Sequence, residues 1–380
     1  MVYTEIYLQA AKVFTYSALS FVLAMWWAPS LISLLRWLKF WKKSSRNIAM
    51  TGEELTATKE FYSQDEAKLK VPRAGGLLIW ITTLTFAFIF WFILKLSPNG
   101  NKTAEFLNFI DRRETFIPIG TLFFASIFGF VDDALATLET GGNYKAGGLK
   151  LSYRLFLVTT LSFFIGLWFH FRLNLSSISF GFTNVILTDF NVPIDTFGHS
   201  FNGSWLIVPI TMVILLGLYG SSMIDGFDGM SSGVLIPIYL CFAGIAFSKG
   251  FYDIATLLMV IIGSMAAYLW YNIPPAKFYM GDTGIMGLLL TLGVVAILLD
   301  VVYLLPVAGF VLVMTEASVI IQVFSKKFFK RKVFLAAPLH HHLESIGWLR
   351  HQVTMRYWLI SIMSSTVAFA LGLLLRGSKH

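Results

Sequence analysis

The sequence predicts an all-α polytopic membrane protein of about ten transmembrane helices, with both termini outside, and three observations carry that prediction. Of its 380 residues 56% are hydrophobic and only 13% charged, with a mean hydropathy of +0.71, whereas a water-soluble domain carries roughly a quarter charged residues. Apolar runs near the ~20 residues that span a bilayer recur along the whole chain. These runs are continuous rather than alternating, which reads as helix, and an open sheet edge could not be satisfied in lipid.

In chain order the expected spans are 11–35, 74–96, 115–131, 153–171, 204–222, 230–248, 252–271, 282–299, 301–324 and 357–376. The opening "MVYTEIYLQAAKVF" lacks a basic stretch followed by a short apolar core and a small-residue cleavage site, so it reads as a retained first helix. The third run is short, and only "LDVVYLLP" divides the eighth from the ninth, so nine spans is the alternative count. Neither an internal repeat nor a low-complexity tract interrupts the series, and residues 1–380 read as a single integral-membrane domain. Cys241 is the only cysteine and lies inside an apolar run, which excludes an internal disulfide and a cysteine-based metal site.

Loop charge sets the sidedness. Lys39, Lys42, Lys43, Arg46, Lys59, Lys68, Lys70 and Arg73 lie between the first two spans, and Lys326, Lys327, Lys330, Arg331, Lys332, Arg350 and Arg356 between the last two. Both loops are expected in the cytoplasm by the positive-inside rule. The loop at 172–203 carries Asp189 and Asp195 against Arg172 alone and suits the outside. Lys102, Arg112 and Arg113 run against this assignment, accompanied by Glu105, Asp111 and Glu114. The net charge of +8 is thus spent on orientation and anionic lipid, and no nucleic-acid partner is expected. With ten spans, "FVDDALA", "IDGFDG", "YNIPPAKFYMGDTG" and "APLHHHLE" all fall on the cytoplasmic face.

Those four clusters hold the candidate chemistry. Asp132 and Asp133 end the third run, and adjacent anions repel unless a cation or proton intervenes; a solvated interface pair is the bland alternative. Asp225 and Asp228 stand three apart beside Gly226 and Gly229, sharing a face if the turn is helical and forming a capped tight turn otherwise. Asp282 opens the eighth span behind Pro274 and Pro275, as a simple cap or, with Gly281 and Gly284, as part of a phosphate-binding helix N-terminus. His340, His341 and His342 are too close in sequence to converge well on zinc. Phosphate contact or acid–base work suits them better, with a structural role for at least one as the alternative. Carboxylates plus substrate phosphates are the usual ligands of Mg²⁺, and a chain made almost wholly of membrane helices implies a lipid partner. Together they point to transfer from a soluble activated donor to a phosphorylated lipid.

At these residues the chain resembles the polyprenyl-phosphate N-acetylhexosamine-1-phosphate transferases, most closely their phospho-MurNAc-pentapeptide transferase branch. The resemblance covers most of the chain from about residue 70 onward, through "FGFVDD", "DGFDG", "NIPPAKFYMGDTG" and, most specific, "APLHHHLESIGWLRHQVTMRYWLIS". It implies ten helices in the bacterial inner membrane, a site facing the cytoplasm, and Mg²⁺-dependent transfer of phospho-MurNAc-pentapeptide from its UDP carrier to undecaprenyl phosphate, giving lipid I and UMP. Expected partners are therefore the UDP-linked amino-sugar donor, undecaprenyl phosphate and the membrane, with a homodimer as an open alternative. Carried over by position, Asp132, Asp133, Asp225 and His340 are expected catalytic and Asp282 metal-binding. Asp228, Asn272, His341 and His342, with the basic candidates Lys70, Arg73, Lys145, Lys150 and Arg154, are expected to bind substrate.

The chain also departs from that branch. "VPRAGG" replaces its usual Thr-Pro-Thr-Met-Gly-Gly, and Ser222, Met223 and Ile224 replace Asn-Leu-Thr. Ala136 stands where a lysine is expected, Arg154 fills the later basic position, Ile285 replaces a serine, and Glu316 sits one position off the usual acid. A sister enzyme moving GlcNAc-1-phosphate is the first competing hypothesis. A transporter with a midplane site at the helix breaks is the second, and it predicts repeats and acids deep in the spans, neither of which is seen.

Overall fold

A computed structural model describes residues 2–41, 70–98, 101–111, 114–138, 148–175, 177–180, 183–186, 192–194, 199–201 and 203–377. Its helices are α1 (Val2–Trp37), α2 (Gly76–Leu96), the short α3 (Lys102–Leu107), α4 (Phe116–Leu138), α5 (Leu151–Arg172), α6 (Ile207–Gly220), α7 (Met230–Ser248), α8 (Tyr252–Asn272) and α9 (Asp282–Leu298). There follow α10 (Leu305–Ala308), α11 (Phe310–Phe329), α12 (Leu339–Ser345) and α13 (Arg350–Gly377). Eight helical stretches among the described residues are long and apolar enough to cross a membrane. The pair around α10 and α11, bent by 81°, makes a ninth if it is one span, and α9 is a shorter apolar helix of 17 residues. Each coincides with one of the ten expected runs.

The helical class holds, with one addition. Between α5 and α6 the chain forms two antiparallel hairpins, β1 (Ser177–Phe180) with β2 (Thr183–Ile186) and β3 (Val192–Ile194) with β4 (His199–Phe201). The third span also runs further than its apolar stretch, so Asp132 and Asp133 lie within α4 rather than at its end. Most of the basic loop between the first two spans lies outside the described residues, as does Lys145.

α7, α8 and α9 form the buried centre, α1 and α7 packing on α8, α4 on α9, and α13 on α7. The outer helices turn Trp26, Phe164, Val213 and Leu374 outward, the exposure expected of side chains that face lipid. Small residues let the central helices meet backbone to backbone, as in membrane bundles generally. A β-carbon on Gly129 of α4 would collide with the Asp282 carbonyl, one on Gly287 of α9 with Ser126, and one on Gly76 of α2 with the Gly284 backbone. The N-terminus of α9 is thereby pressed between α2 and α4. At the other end, Tyr16 of α1 donates to the Leu107 carbonyl at 2.7 Å. Lys12 reaches the Asn108 carbonyl at 3.2 Å and Asp253 at 3.3 Å, which pins α3 to the bundle.

Candidate active site

The close crossing of α4 and α9 decides where Asp133 goes. Gly281, which precedes α9, has no side chain to cap it. Asp133 caps from the neighbouring helix instead, its Oδ2 accepting from the Thr283 backbone N–H at 2.9 Å and from the Thr283 hydroxyl at 2.7 Å. Gly281 has φ +71° and ψ 177°, a conformation left almost wholly to glycine, and a β-carbon there would collide with Asp133 Oδ2. Its N–H donates to Asp225 Oδ2 at 3.2 Å. Ser231 donates to Asp225 Oδ1 at 2.8 Å. Asp225 thus joins the cluster through one glycine N–H. Burial pushes its carboxyl up to about 6, against the Ser231 hydrogen bond and the Arg73 charge.

Two arginines answer the acids. Arg154, in the first turn of α5, places Nη2 2.7 Å from Asp132 Oδ2 and Nη1 3.2 Å from Asp282 Oδ2. Its Nε donates to the Leu149 carbonyl at 3.1 Å, while the Leu149 N–H donates to Asp132 Oδ1 at 2.6 Å. The Tyr219 hydroxyl lies beside Arg154. Arg73 lies 3.7 Å from Asp133 Oδ1. The segment carrying it is laced to the approach of α9: Tyr279 N–H donates to the Pro72 carbonyl at 2.8 Å, Gly75 N–H to the Tyr279 carbonyl at 2.7 Å, and Gly76 N–H to the Met280 carbonyl at 3.0 Å.

One oxygen from each of Asp132, Asp133 and Asp282 lies within 4.8 Å of the other two. An octahedral ion bonded at 2.0–2.1 Å spans about 4.2 Å across opposite ligands, so small rotations would let one ion meet all three. Asp133 Oδ1 is buried without a hydrogen-bond partner among the described residues, so it is open to a cation or to a substrate proton. The donor set fits Mg²⁺.

Comparisons with known proteins place the chain in a family. A family described as "Glycosyl transferase family 4" matches residues 115–300, which contain all four of these aspartates. A phospho-N-acetylmuramoyl-pentapeptide-transferase of Shouchella clausii is 31% identical over 355 residues, 93% of this chain and 95% of that protein. The chain belongs to the phospho-N-acetylmuramoyl-pentapeptide-transferase family. The relative from Leptospira biflexa is 30% identical over 90% of this chain and 87% of its own length, and that from Chloroflexus aggregans 29% over 81% and 78%. Membership makes the protein a membrane-embedded phospho-sugar transferase.

Within this transferase the remaining expected residues divide into those that frame the cluster and those at its edge. Asn272, expected to touch substrate, is buried with its amide occupied at both ends. It accepts from the Gly229 N–H at 2.8 Å and donates to the Phe278 carbonyl at 2.9 Å, so it works as a strut between the two loops. Asp228 accepts from the Ala276 N–H at 3.3 Å, and the link at 225–229 is a non-helical turn rather than a shared helical face. Trp358 of α13 ties that link down by donating to the Gly229 carbonyl at 3.0 Å. Lys70 is exposed at the edge of the described chain.

The three histidines take three different positions. His340 is buried against Phe227, ring centroids 5.0 Å apart, with its Nε2 where a β-carbon of Gly226 would be. Burial, then the neighbouring His341, pushes it down to about 3. His341 Nδ1 lies 3.1 Å from Glu344, which also accepts from Arg350 Nε at 2.6 Å. Partial burial raises the Glu344 carboxyl, but the bonds and charges of His341 and Arg350 more than offset that, leaving it at about 2. His342 Nδ1 accepts from the Leu335 N–H at 3.2 Å. Thr283 and Tyr219 were not singled out from the sequence. Thr283 follows Asp282 directly, which is the one signal that could have found it.

Proposed function

We propose that this transferase moves phospho-MurNAc-pentapeptide from UDP to undecaprenyl phosphate in peptidoglycan synthesis, giving lipid I and UMP at the cytoplasmic face of a bacterial inner membrane. The observation that carries the reading is the convergence of Asp132, Asp133 and Asp282 within 4.8 Å under two guanidinium groups. An oxygen of the lipid phosphate bonds to the sugar-side phosphorus of the donor. The bond from that phosphorus to the bridging oxygen breaks, and UMP leaves with the electron pair.

Mg²⁺, held by Asp282 with Asp132, would supply neutralisation of the diphosphate charge. Asp133 keeps one bare oxygen beside Arg73, and we assign it to meet the lipid phosphate and take its proton. Asp225 orients the backbone of Gly281 and thereby the start of α9. His341 and Arg350, ordered by Glu344, are assigned to meet the donor's anionic groups. His340 sets the packing of the 225–229 link, a positioning role.

Arg73 also supports a second reading, because "VPRAGG" departs from this branch at the residue that touches Asp133. The purified protein is assayed for UMP release with Mg²⁺, undecaprenyl phosphate and either UDP-MurNAc-pentapeptide or UDP-GlcNAc. Turnover of the first alone is expected. Turnover of the second alone would move the chain to a sister activity, and turnover of neither would remove the proposed reaction.

A further inference from the structure

Arg154 occupies an unusual position for a substrate-binding arginine. Its fork is not turned outward to an incoming anion but inserted between Asp132 and Asp282, one Nη on each at 2.7 and 3.2 Å. Those are two of the three carboxylates whose oxygens converge within 4.8 Å. The fork is held there by an independent bond from Nε to the Leu149 carbonyl, with the Tyr219 hydroxyl beside it. Gly148, at φ +95°, makes room for it, since a β-carbon there would stand 2.8 Å from Nη2. The chain therefore builds a seat for a guanidinium inside its acid cluster.

A monovalent guanidinium and a divalent ion cannot both take the same carboxylate oxygens, because two cations would be forced into contact in a partly dry site. We propose that Arg154 competes with the divalent cation for Asp132 and Asp282, so that metal binding displaces the guanidinium toward the donor's phosphates. This rests on the metal-dependent transferase reading. Arg154 neutralises mutually repelling acids until metal and donor arrive together. Free enzyme then binds metal weakly, and donor binding strengthens it, because the displaced guanidinium gains an anionic partner. An arginine suits the task better than a lysine, since its planar fork spans two carboxylates at once.

The test is Mn²⁺ binding to the purified full-length protein, followed by electron paramagnetic resonance without donor or lipid, so that it does not depend on turnover. Arg154→Met, checked for folding by its thermal transition, is expected to bind Mn²⁺ at least about tenfold more tightly than the wild type. Arg154→Lys, a charge without the fork, is expected to fall between them. Unchanged or weaker binding in a folded Arg154→Met, with Mn²⁺ bound by the wild type and lost in Asp282→Asn, would overturn the competition while leaving the metal reading standing. If wild type, Arg154→Met and Asp282→Asn all fail to bind Mn²⁺, the metal reading falls and takes this inference with it.

Discussion

Asp133 carries one oxygen tied to Thr283 and one that is bare, and that asymmetry makes separable predictions. In Thr283→Val the backbone N–H still holds Oδ2 while the hydroxyl bond is lost. UMP release should fall by about tenfold through kcat, because the carboxylate keeps its charge and loses part of its aim; an unchanged kcat would show that the hydroxyl does not position it. His340 gives a pH prediction. A folded-state value near 3, against an ordinary 6.5, means that the fold prefers the neutral ring. Its contribution is complete above pH 6.5 and is lost as pH falls from 6.5 toward 3, by up to about 1.4 kcal/mol per pH unit. Glu344, held at about 2, contributes above its ordinary value of about 4.3 and loses that only as pH falls from there toward 2. Thermal unfolding in detergent should therefore show a His340-dependent loss between pH 7 and 5, opposed by Asp225, whose raised carboxyl gains stability as it takes up a proton near pH 6, and His340→Asn should remove that loss. A loss that survives in the variant would assign it elsewhere.

At the scale of elements, the site is made by how α9 begins. Gly281 combines a backbone conformation that other residues avoid with a contact that leaves no space for a β-carbon beside Asp133. Gly281→Ala should cost about 1–3 kcal/mol of stability and at least about a hundredfold in UMP release, since the shift moves Asp133, Asp225 and Asp282 together. A thermal transition and a turnover both within error of wild type would contradict this account. The start of α9 was partly legible beforehand: a glycine before an acid after a double proline reads as a loop entering a helix. The third span was less legible, because an adjacent pair of aspartates looks like the edge of a membrane. Only the crossing at Gly129 and Gly287, a contact between residues about 150 apart in sequence, shows that α4 carries those acids into cover. The structural contacts of Asn272 and His340 were illegible for the same reason. A polar residue in a motif looks like a ligand contact until its partners are known, and both spend their polarity or their bulk on the 225–229 link.

At the scale of the molecule, composition alone sufficed for the ten apolar stretches, because lipid admits few alternatives to helices. It did not reveal the hairpins between α5 and α6, whose sequence has no long run to mark it. The fold places Asp133, Asp282 and His340 at one end of the bundle and ties α3 to α1 at the other, through Tyr16 and Lys12. Ten crossings would then expose Lys332, which follows α11, on the same side as the acids, and Lys102, at the start of α3, on the opposite side. The only cysteine, Cys241, is buried in α7, so a membrane-impermeant maleimide should label the unaltered protein weakly. In sealed right-side-out vesicles Lys102→Cys should be labelled without lysis, while Lys332→Cys should be labelled only after the membrane is opened. Both lysines are exposed, so failure to react would reflect the side of the membrane and not burial. Labelling of both positions from outside would break the ten-span parity, and the reverse pattern would invert the molecule and put the acid cluster on the face away from a cytoplasmic nucleotide donor.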